Sequence, residues 1–225
     1  MSNSRPDSNP DLSSTGTPTR IPIRLAGKPR ARPLLWLVRH SKPVMTPGLC
    51  YGRLDLEVDV KDIERTAGHL AKTLPHGIVV RHSPAKRCRL LAEALHRLRP
   101  DVQLYGAADG LAEMDFGAWE GRPWADLPEV ELTAWTDDFS DYRPGETGES
   151  VRQFLARIER ELQRVLDHHD AEPEPEPELW ITHAGVIRAV AWLLDRDTNG
   201  AMPSADRWPA FEVGYGEIRV IRAKS

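Results

Sequence analysis

The stretch PLLWLVRHS, residues 33–41, is an apolar run that ends in arginine, histidine and serine. A run of this kind is typical of a buried β-strand, and side chains that follow it directly lie at the strand's carboxyl end. A second stretch, VVRHS at residues 79–83, ends in the same three letters. His40 and His82 are therefore both candidates for chemistry, and the rest of the chain has to distinguish them.

Strand-like and helix-like segments alternate along the remainder of the chain. Helical periodicity is clearest over residues 150–169, where the apolar side chains form one continuous stripe. Alternating strands and helices predict an α/β sandwich with a mainly parallel central sheet. The predicted strands are 33–40, 77–83, 101–106 and 177–183, with one or two more in 211–221, and the predicted helices are 58–74, 85–98, 150–169 and 186–194.

Length and composition are those of one soluble domain with a tail: 225 residues, 40% hydrophobic and 28% charged. Residues 1–32 have little apolar content and predict a disordered N-terminal tail, which leaves residues 33–225 as a single domain. The proline-rich stretch EPEPEPE at 172–178 predicts a surface loop.

Charge and cysteine content exclude several classes of protein. The formal net charge of −4 gives no general attraction to nucleic acid. No segment approaches the ~20 apolar residues of a membrane span, and the N-terminus lacks the apolar core of a signal peptide. Cys50 and Cys88 are too few for a disulfide framework. We therefore expect a cytoplasmic protein with neither nucleic acid nor membrane as a partner.

Three of the predicted strands end in side chains that suit phosphate chemistry. Arg39 and His40 end the first, Arg87 lies one turn into the helix after the second, and His183 ends the fourth just before a helix. The carboxyl ends of parallel strands meet at one edge of the sheet, so these groups can converge on an anion. Arginine binds two phosphate oxygens at once, and histidine can attack phosphorus to form a covalent intermediate.

Such a reaction also needs an acid that protonates the leaving oxygen. The segment GLAEMDFGAWEG at 110–121 supplies Glu113, Asp115 and Glu120 in an aromatic, glycine-rich loop. A loop has no periodicity from which to choose among them, so the residues alone leave Glu113 and Asp115 open as the proton donor.

Four motifs occur in this order: LVRHS, SPAKR, LAEMDFGAWEG and ITHAGVIR. Together they resemble the motifs of the histidine phosphatase superfamily, which includes the cofactor-dependent phosphoglycerate mutases. The resemblance covers residues 34–194. The stretches CYGRLD (50–55) and SPAKRCRLLAEAL (83–95) are more similar to the α-ribazole phosphatase branch of cobalamin synthesis than to the mutases. The implied fold is a three-layer α/β/α sandwich of the phosphoglycerate mutase type.

The resemblance implies a phosphomonoester hydrolase that works through a phosphohistidine, with a small phosphate ester such as α-ribazole 5′-phosphate as substrate. It favours His40 over His82 as the nucleophile and Glu113 over Asp115 as the acid. The implied catalytic residues are His40, Glu113 and His183, and the implied phosphate-binding residues are Arg39, Arg87, His183 and Arg53. No cofactor and no metal are expected, because arginines beside the histidines would repel a cation.

Two positions depart from the family's usual pattern: RHG is RHS at 39–41, and QTA is LLA at 90–92. Neither change removes a catalytic residue type. Two other functions stay open, a mutase that retains the phosphoryl group and a non-catalytic adaptor that binds phosphate. A homodimer is also open, because two-fold dimers are common among soluble oligomers.

Other histidines and the tryptophans have simpler interpretations. His82 is expected at the pocket edge or the surface, and His69, His76, His96, His168 and His169 are expected in solvent. Trp119, Trp124 and Trp135 are interpreted as core or loop anchors, with stacking on a nucleoside-like substrate as the alternative.

Overall fold

A six-stranded sheet organises the protein in the computed structural model, which describes residues 19–21 and 33–222. The strand order is β1-β6-β2-β5-β3-β4, and every neighbouring pair is parallel except β2 and β6. The strands are β1 (Thr19–Ile21), β2 (Pro33–Arg39), β3 (Val79–His82), β4 (Gln103–Ala107), β5 (Glu178–Thr182) and β6 (Ile218–Arg222).

Helices cover both faces of this sheet, which confirms the predicted three-layer α/β/α sandwich. They are α1 (Val60–Thr73), α2 (Lys86–Leu98), α3 (Glu129–Asp137), α4 (Val151–Ala171) and α5 (Ala184–Leu193). Side chains of β2 alternate between the two cores, as the two-residue period of a strand requires. Leu35 and Leu37 pack in the core beneath α4 and α5, whereas Trp36 and Val38 pack in the core beneath α1 and α2.

The longest helix begins where the sequence predicts. Ser150 and Gln153 form a reciprocal capping box: the Ser150 hydroxyl accepts from the Gln153 N–H, and the Gln153 side chain accepts from the Ser150 N–H. This arrangement satisfies N–H groups that a helix start otherwise leaves unpaired. The apolar stripe of α4 then packs on the sheet, with Phe154 and Ile158 fully buried.

Several elements differ from the prediction. Of the one or two strands predicted in residues 211–221, one forms, β6, and its antiparallel pairing with β2 was not predicted. Helix α3 was not predicted, because its apolar residues form no continuous stripe and none of its side chains is buried. The loop over 109–126 contains three short 3₁₀ turns.

Within the predicted tail, residues 19–21 form the edge strand β1, which pairs with β6. Residues 1–18 and 22–32 lie outside the described residues, so their disorder stays a prediction. Residues 172–177 form the expected loop between α4 and β5. Among the described helices, none is both long and apolar enough to cross a bilayer.

The topology brings the reactive strand ends together. Strands β2, β5 and β3 are adjacent and parallel, so residues that follow Arg39, Thr182 and His82 emerge at one edge of the sheet. The His40 N–H donates to Thr182 O at 2.9 Å, and the Ser83 N–H donates to Ile181 O at 3.0 Å. These bonds hold the segments after β2 and β3 against the end of β5.

Candidate active site

His40 is a buried, neutral histidine with one nitrogen that carries a lone pair. Its Nδ1 lies 2.7 Å from the backbone oxygen of Ser41. A carbonyl oxygen can only accept, so Nδ1 carries the proton and Nε2 is unprotonated. Burial lowers the pKa of His40 well below its usual value, and the charges of Arg87 and Arg39 lower it further. The ring is therefore poised as a nucleophile at neutral pH.

His183 lies beside it, with the ring centroids 5.1 Å apart. Its Nδ1 is 3.3 Å from Nη2 of Arg87, and since a guanidinium only donates, Nδ1 is the acceptor. Its Nε2–H then donates to the Ser83 hydroxyl at 2.7 Å. Burial, followed by the positive charges of His40 in its protonated form and of Arg87, lowers the pKa of His183 well below its usual value. His183 thus offers a neutral, fixed imidazole.

Arg87 is fully buried and ties the first turn of α2 to the loop after β2. It donates to Gly52 O at 2.6 Å and to Leu54 O at 2.9 Å. Its Nε is buried and has no hydrogen-bond partner among the described residues. A buried N–H without a partner costs about 1–3 kcal/mol. The guanidinium contacts His183 beside His40 but is not among the residues that line the cavity of His40.

Arg39 is held in a similar way at the end of β2. Its Nη1 donates to Val213 O at 2.6 Å, and its guanidinium lies 3.8 Å from the centre of the Tyr215 ring. Its Nε is also buried and unpaired within the described part of the chain. The Tyr215 hydroxyl is 3.2 Å from the Tyr51 hydroxyl, so the two tyrosines meet next to Arg39 and His40.

Glu113 lines the same cavity of ≈ 390 Å³ as Arg39 and His40. Its carboxylate accepts from the Gly185 N–H at 3.0 Å and from the Met114 N–H at 3.1 Å, so it caps the first turn of α5. A Cβ at Gly185 would lie 2.2 Å from the carboxylate, so only glycine permits this approach.

Asp115 faces a different way. Its Oδ1 accepts from the Gly117 N–H at 2.8 Å and closes a turn. It lines the two neighbouring cavities but is not among the residues that line the cavity of His40. The geometry therefore favours Glu113 over Asp115 as the carboxyl group next to His40.

Arg53 does not line the cavity that holds His40 and Arg39. It is exposed and lines the cavities on the Asp115 side, one of which it shares with Ser83 and Glu113. Glu120 holds the loop that carries Arg53, because its carboxylate accepts hydrogen bonds from the N–H groups of Arg53 and Phe116 at 2.7 and 3.1 Å. Glu120 thus has a structural contact network of its own.

His82 was expected at the pocket edge or the surface, but it is buried. Its Nδ1 lies 2.8 Å from Ser83 O, which is the same local hydrogen bond that His40 makes. His82 lines none of the cavities next to His40 or Glu113. The expectation of a solvated ring was also wrong for His169, which lies on the inner face of α4. Strand and helix periodicity place both residues inside, whereas their polarity alone predicted contact with solvent.

Three contributors were missed by sequence reasoning. Ser83 accepts from His183, Tyr215 covers Arg39, and Arg188 lines the cavity of His40 from the second turn of α5. Ser83 and Arg188 stand within the quoted motifs SPAKR and ITHAGVIR, so their position was a signal. Tyr215 lies outside the quoted motifs, so no sequence signal pointed to it. Within the described ranges, no group of three or more His, Cys, Asp or Glu side chains is arranged to hold a metal ion.

The chain belongs to the histidine phosphatase superfamily, branch 1, whose family model matches residues 35–222. The match extends beyond the four motifs to β6, and it includes every strand from β3 onward.

Solved structures with similar folds carry both activities in their names. An α-ribazole phosphatase from Shigella flexneri superposes with a TM-score of 0.61 at 26% identity and covers 82% of this chain and 87% of that chain. A phosphoglycerate mutase from Thermus thermophilus superposes with a TM-score of 0.55 at 27% identity and covers 83% of this chain and 95% of that chain.

A curated relative is longer than this chain. A protein of Mycobacterium tuberculosis described as bifunctional is 33% identical over 159 residues, which is 67% of this chain. The chain spans 38% of the length of that relative.

Proposed function

We propose that the protein is a phosphomonoester hydrolase that forms a phosphohistidine at His40. One observation carries the proposal: the unprotonated Nε2 belongs to a ring that shares a single cavity with Arg39 and the carboxyl group of Glu113. His183 lies against the same ring and Arg87 contacts His183, and Arg39 and Arg87 each have a buried Nε–H without a partner among the described residues.

In the first step, Nε2 of His40 attacks phosphorus while the bond between phosphorus and the leaving oxygen breaks. Glu113, in its protonated form, gives its proton to that oxygen, and the alcohol departs. The phosphorylated ring is positively charged, and the Ser41 carbonyl stabilises it through the Nδ1–H bond. Arg39, Arg87 and His183 hold the phosphoryl oxygens as charge spreads over them.

In the second step, water attacks the phosphorus of the phosphohistidine. The Glu113 carboxylate takes the proton from that water, the P–N bond breaks, and its electron pair returns to Nε2 of His40. Inorganic phosphate is released and the enzyme regains its starting protonation state. Glu113 thus acts as acid and then as base, as a single carboxyl group can.

The candidate substrate is α-ribazole 5′-phosphate. Support comes from the motifs CYGRLD and SPAKRCRLLAEAL and from the similarity to the Shigella flexneri phosphatase. The proposed phosphate-binding role of Arg53 is limited to the outer part of the site, because its side chain borders the cavity next to Glu113 and not the one that contains His40.

The test measures phosphate release from a panel of phosphomonoesters that includes α-ribazole 5′-phosphate and 3-phosphoglycerate. Wild type is compared with His40→Ala and with His82→Ala, a matched variant at the other Arg-His-Ser strand end. We expect release that is lost in His40→Ala and kept in folded His82→Ala. Conversion of 3-phosphoglycerate to its isomer without net phosphate release would favour the mutase, and ligand binding without turnover on any ester would favour the adaptor.

A further inference from the structure

The cavity that contains His40 has two chemically different halves. One half is polar and holds the reacting groups Arg39, His40 and Glu113. The other half is aromatic and is formed by Phe116, Trp124, Trp135, Phe139, Phe154 and Trp208. A phosphate held in the polar half would therefore direct its leaving group toward aromatic rings.

These rings form a connected wall. Trp124 and Trp135 are nearly parallel, with an interplanar angle of 13° and centroids 6.0 Å apart. Phe116 meets both of them edge-on, at 5.4 and 6.2 Å. Phe139 links Trp135 to Trp208, with centroid separations of 5.6 and 5.8 Å. Aromatic neighbours fix one another, so the wall is a rigid surface that a planar ring can stack against.

Exposure distinguishes Trp124 and Trp135 from a buried tryptophan of the same cluster. Trp119 belongs to the same aromatic cluster, is completely buried, and lies 5.6 Å from Trp135 and 6.3 Å from Trp124, yet it does not line the cavity. Trp124 and Trp135 are only partly buried and do line it. The cluster thus contains both a supporting tryptophan and two that present their surface to the cavity.

Arg188 adds a cation to the lining of the same cavity. Its Nε and Nη2 donate to Phe211 O at 3.2 and 3.1 Å, which fixes the guanidinium in place. A planar ring that carries polar edge atoms, such as a nucleobase, could stack on the tryptophans and direct an acceptor at Arg188. A volume of ≈ 390 Å³ is within the range that binds small ligands.

We propose that this aromatic wall selects phosphate esters whose leaving alcohol carries a planar aromatic ring system, as a nucleoside 5′-phosphate does. The inference rests on the proposed phosphatase function, whose candidate substrate α-ribazole 5′-phosphate is an ester of this class, and adds the residues that select the ring. Trp124 and Trp135 are the specificity-determining residues, and Arg188 contacts the edge of the ring.

The test compares two esters that release phosphate from the same kind of oxygen, adenosine 5′-monophosphate and ribose 5-phosphate. Both carry the phosphate on the 5′-oxygen of a ribose, so the difference reports the ring alone. We expect wild type to show a kcat/KM for the nucleotide that is higher by on the order of tenfold, the scale of one stacked base. The ratio of the two kcat/KM values should fall toward one in Trp124→Leu.

Trp119→Leu is the matched control, because Trp119 belongs to the same cluster but does not itself line the cavity. We expect it to lower the melting temperature and keep the ratio. Trp208→Leu, at the far end of the wall, supplies a second cavity variant should Trp124→Leu fail to fold.

The possible outcomes distinguish failure of this inference from failure of the proposed phosphatase function. Equal kcat/KM values for the two esters, with release that still depends on His40, would overturn the inference alone. A ratio that is unchanged in both folded cavity variants would overturn the role of the wall. Absence of His40-dependent release from every ester would overturn the proposed function, and the inference with it.

Discussion

Two histidines in this chain share the same local sequence and the same local hydrogen bond, yet their surroundings differ. The Nδ1 atoms of His40 and His82 lie 2.7 and 2.8 Å from the carbonyl of the serine that follows. Only His40 faces a cavity that also holds Arg39 and Glu113. The difference lies in what the neighbouring strands and loops bring to each ring.

Burial of His40 and His183 as neutral rings makes stability depend on pH. Both pKa values are lowered below the ordinary 6.5, chiefly by burial, so the unfolded chain binds more protons as pH falls below 6.5. The contribution of the two neutral histidines to the free energy of unfolding should therefore be fully present above pH 6.5 and should decline as the pH falls below that value. Urea titrations at a series of pH values test this. A His183→Gln variant should show a shallower decline, whereas the exposed-site variant His69→Gln should match wild type.

Ser83 fixes the tautomer of His183 by accepting its Nε2–H at 2.7 Å. We expect Ser83→Ala to lower the free energy of unfolding by about 1–2 kcal/mol, because a buried donor loses its hydroxyl partner. The rate of phosphate release by Ser83→Ala should also be lower than that of wild type. Ser41→Ala is the matched control, since the Ser41 hydroxyl is buried without a hydrogen-bond partner among the described residues. Equal destabilisation by both substitutions, measured by urea unfolding, would contradict this role of Ser83.

At the scale of elements, helices with one strong apolar stripe could be predicted, whereas helix α3 and the direction of β6 could not. Residues 58–74 and 85–98 were predicted as helices, and α1 and α2 lie within those ranges. The antiparallel direction of β6 could not be read from its residues, because it depends on pairing with a strand that is distant in sequence. Helix α3 places its partly buried Trp135 in the cavity wall. Its position depends on tertiary packing, which the local sequence pattern does not show.

Helix α4 positions the loop that carries Glu113. Arg157 of α4 forms an ion pair with Glu149 at 2.8 Å and donates to the carbonyl oxygens of Gly110, Ala112 and Glu113 at 2.7–3.0 Å. No motif pointed to this arginine, because its partners are backbone atoms of a loop more than forty residues earlier in the chain.

We expect Arg157→Ala to lower the free energy of unfolding by about 3–5 kcal/mol, since it leaves a half-buried carboxylate and several carbonyls without their partner. Arg157→Lys keeps the positive charge but loses the planar guanidinium that donates several hydrogen bonds at once. The folded part of this variant should show a lower kcat, because Glu113 is less well placed. The control is Arg160→Ala, an exposed position one turn later. A folded Arg157→Lys variant with the kcat of wild type would contradict the role of Arg157 in positioning Glu113.

At the scale of the whole molecule, the strand order decides which motifs meet. Because β5 lies between β2 and β3, the ends of the first, second and fourth predicted strands form one site. The family resemblance pointed to Arg39, Arg87 and His183, and the structure places these side chains close to His40. The aromatic half comes from loops and from α3, whose positions follow from packing between segments that are far apart in sequence.

A bound anion should stabilise the whole fold, because Arg39 and Arg87 each hold a buried N–H without a partner in the part of the chain that the structure describes. Inorganic phosphate at a hundredfold excess over its Kd should add about 2.7 kcal/mol to the free energy of unfolding. Thermal melts with phosphate, and with sodium chloride at matched ionic strength, measure this directly. The shift should vanish in Arg87→Met, and an equal shift in that variant would place phosphate elsewhere.

The most direct test of the account is to trap the phosphoenzyme. Wild type is mixed with a substrate ester for milliseconds, quenched in base, where phosphohistidine survives, and digested for mass spectrometry. We predict one phosphoryl group on the peptide that contains His40 and none on the peptide that contains His82. Steady phosphate release without any phosphoenzyme, or a phosphoryl group on another residue, would contradict the account.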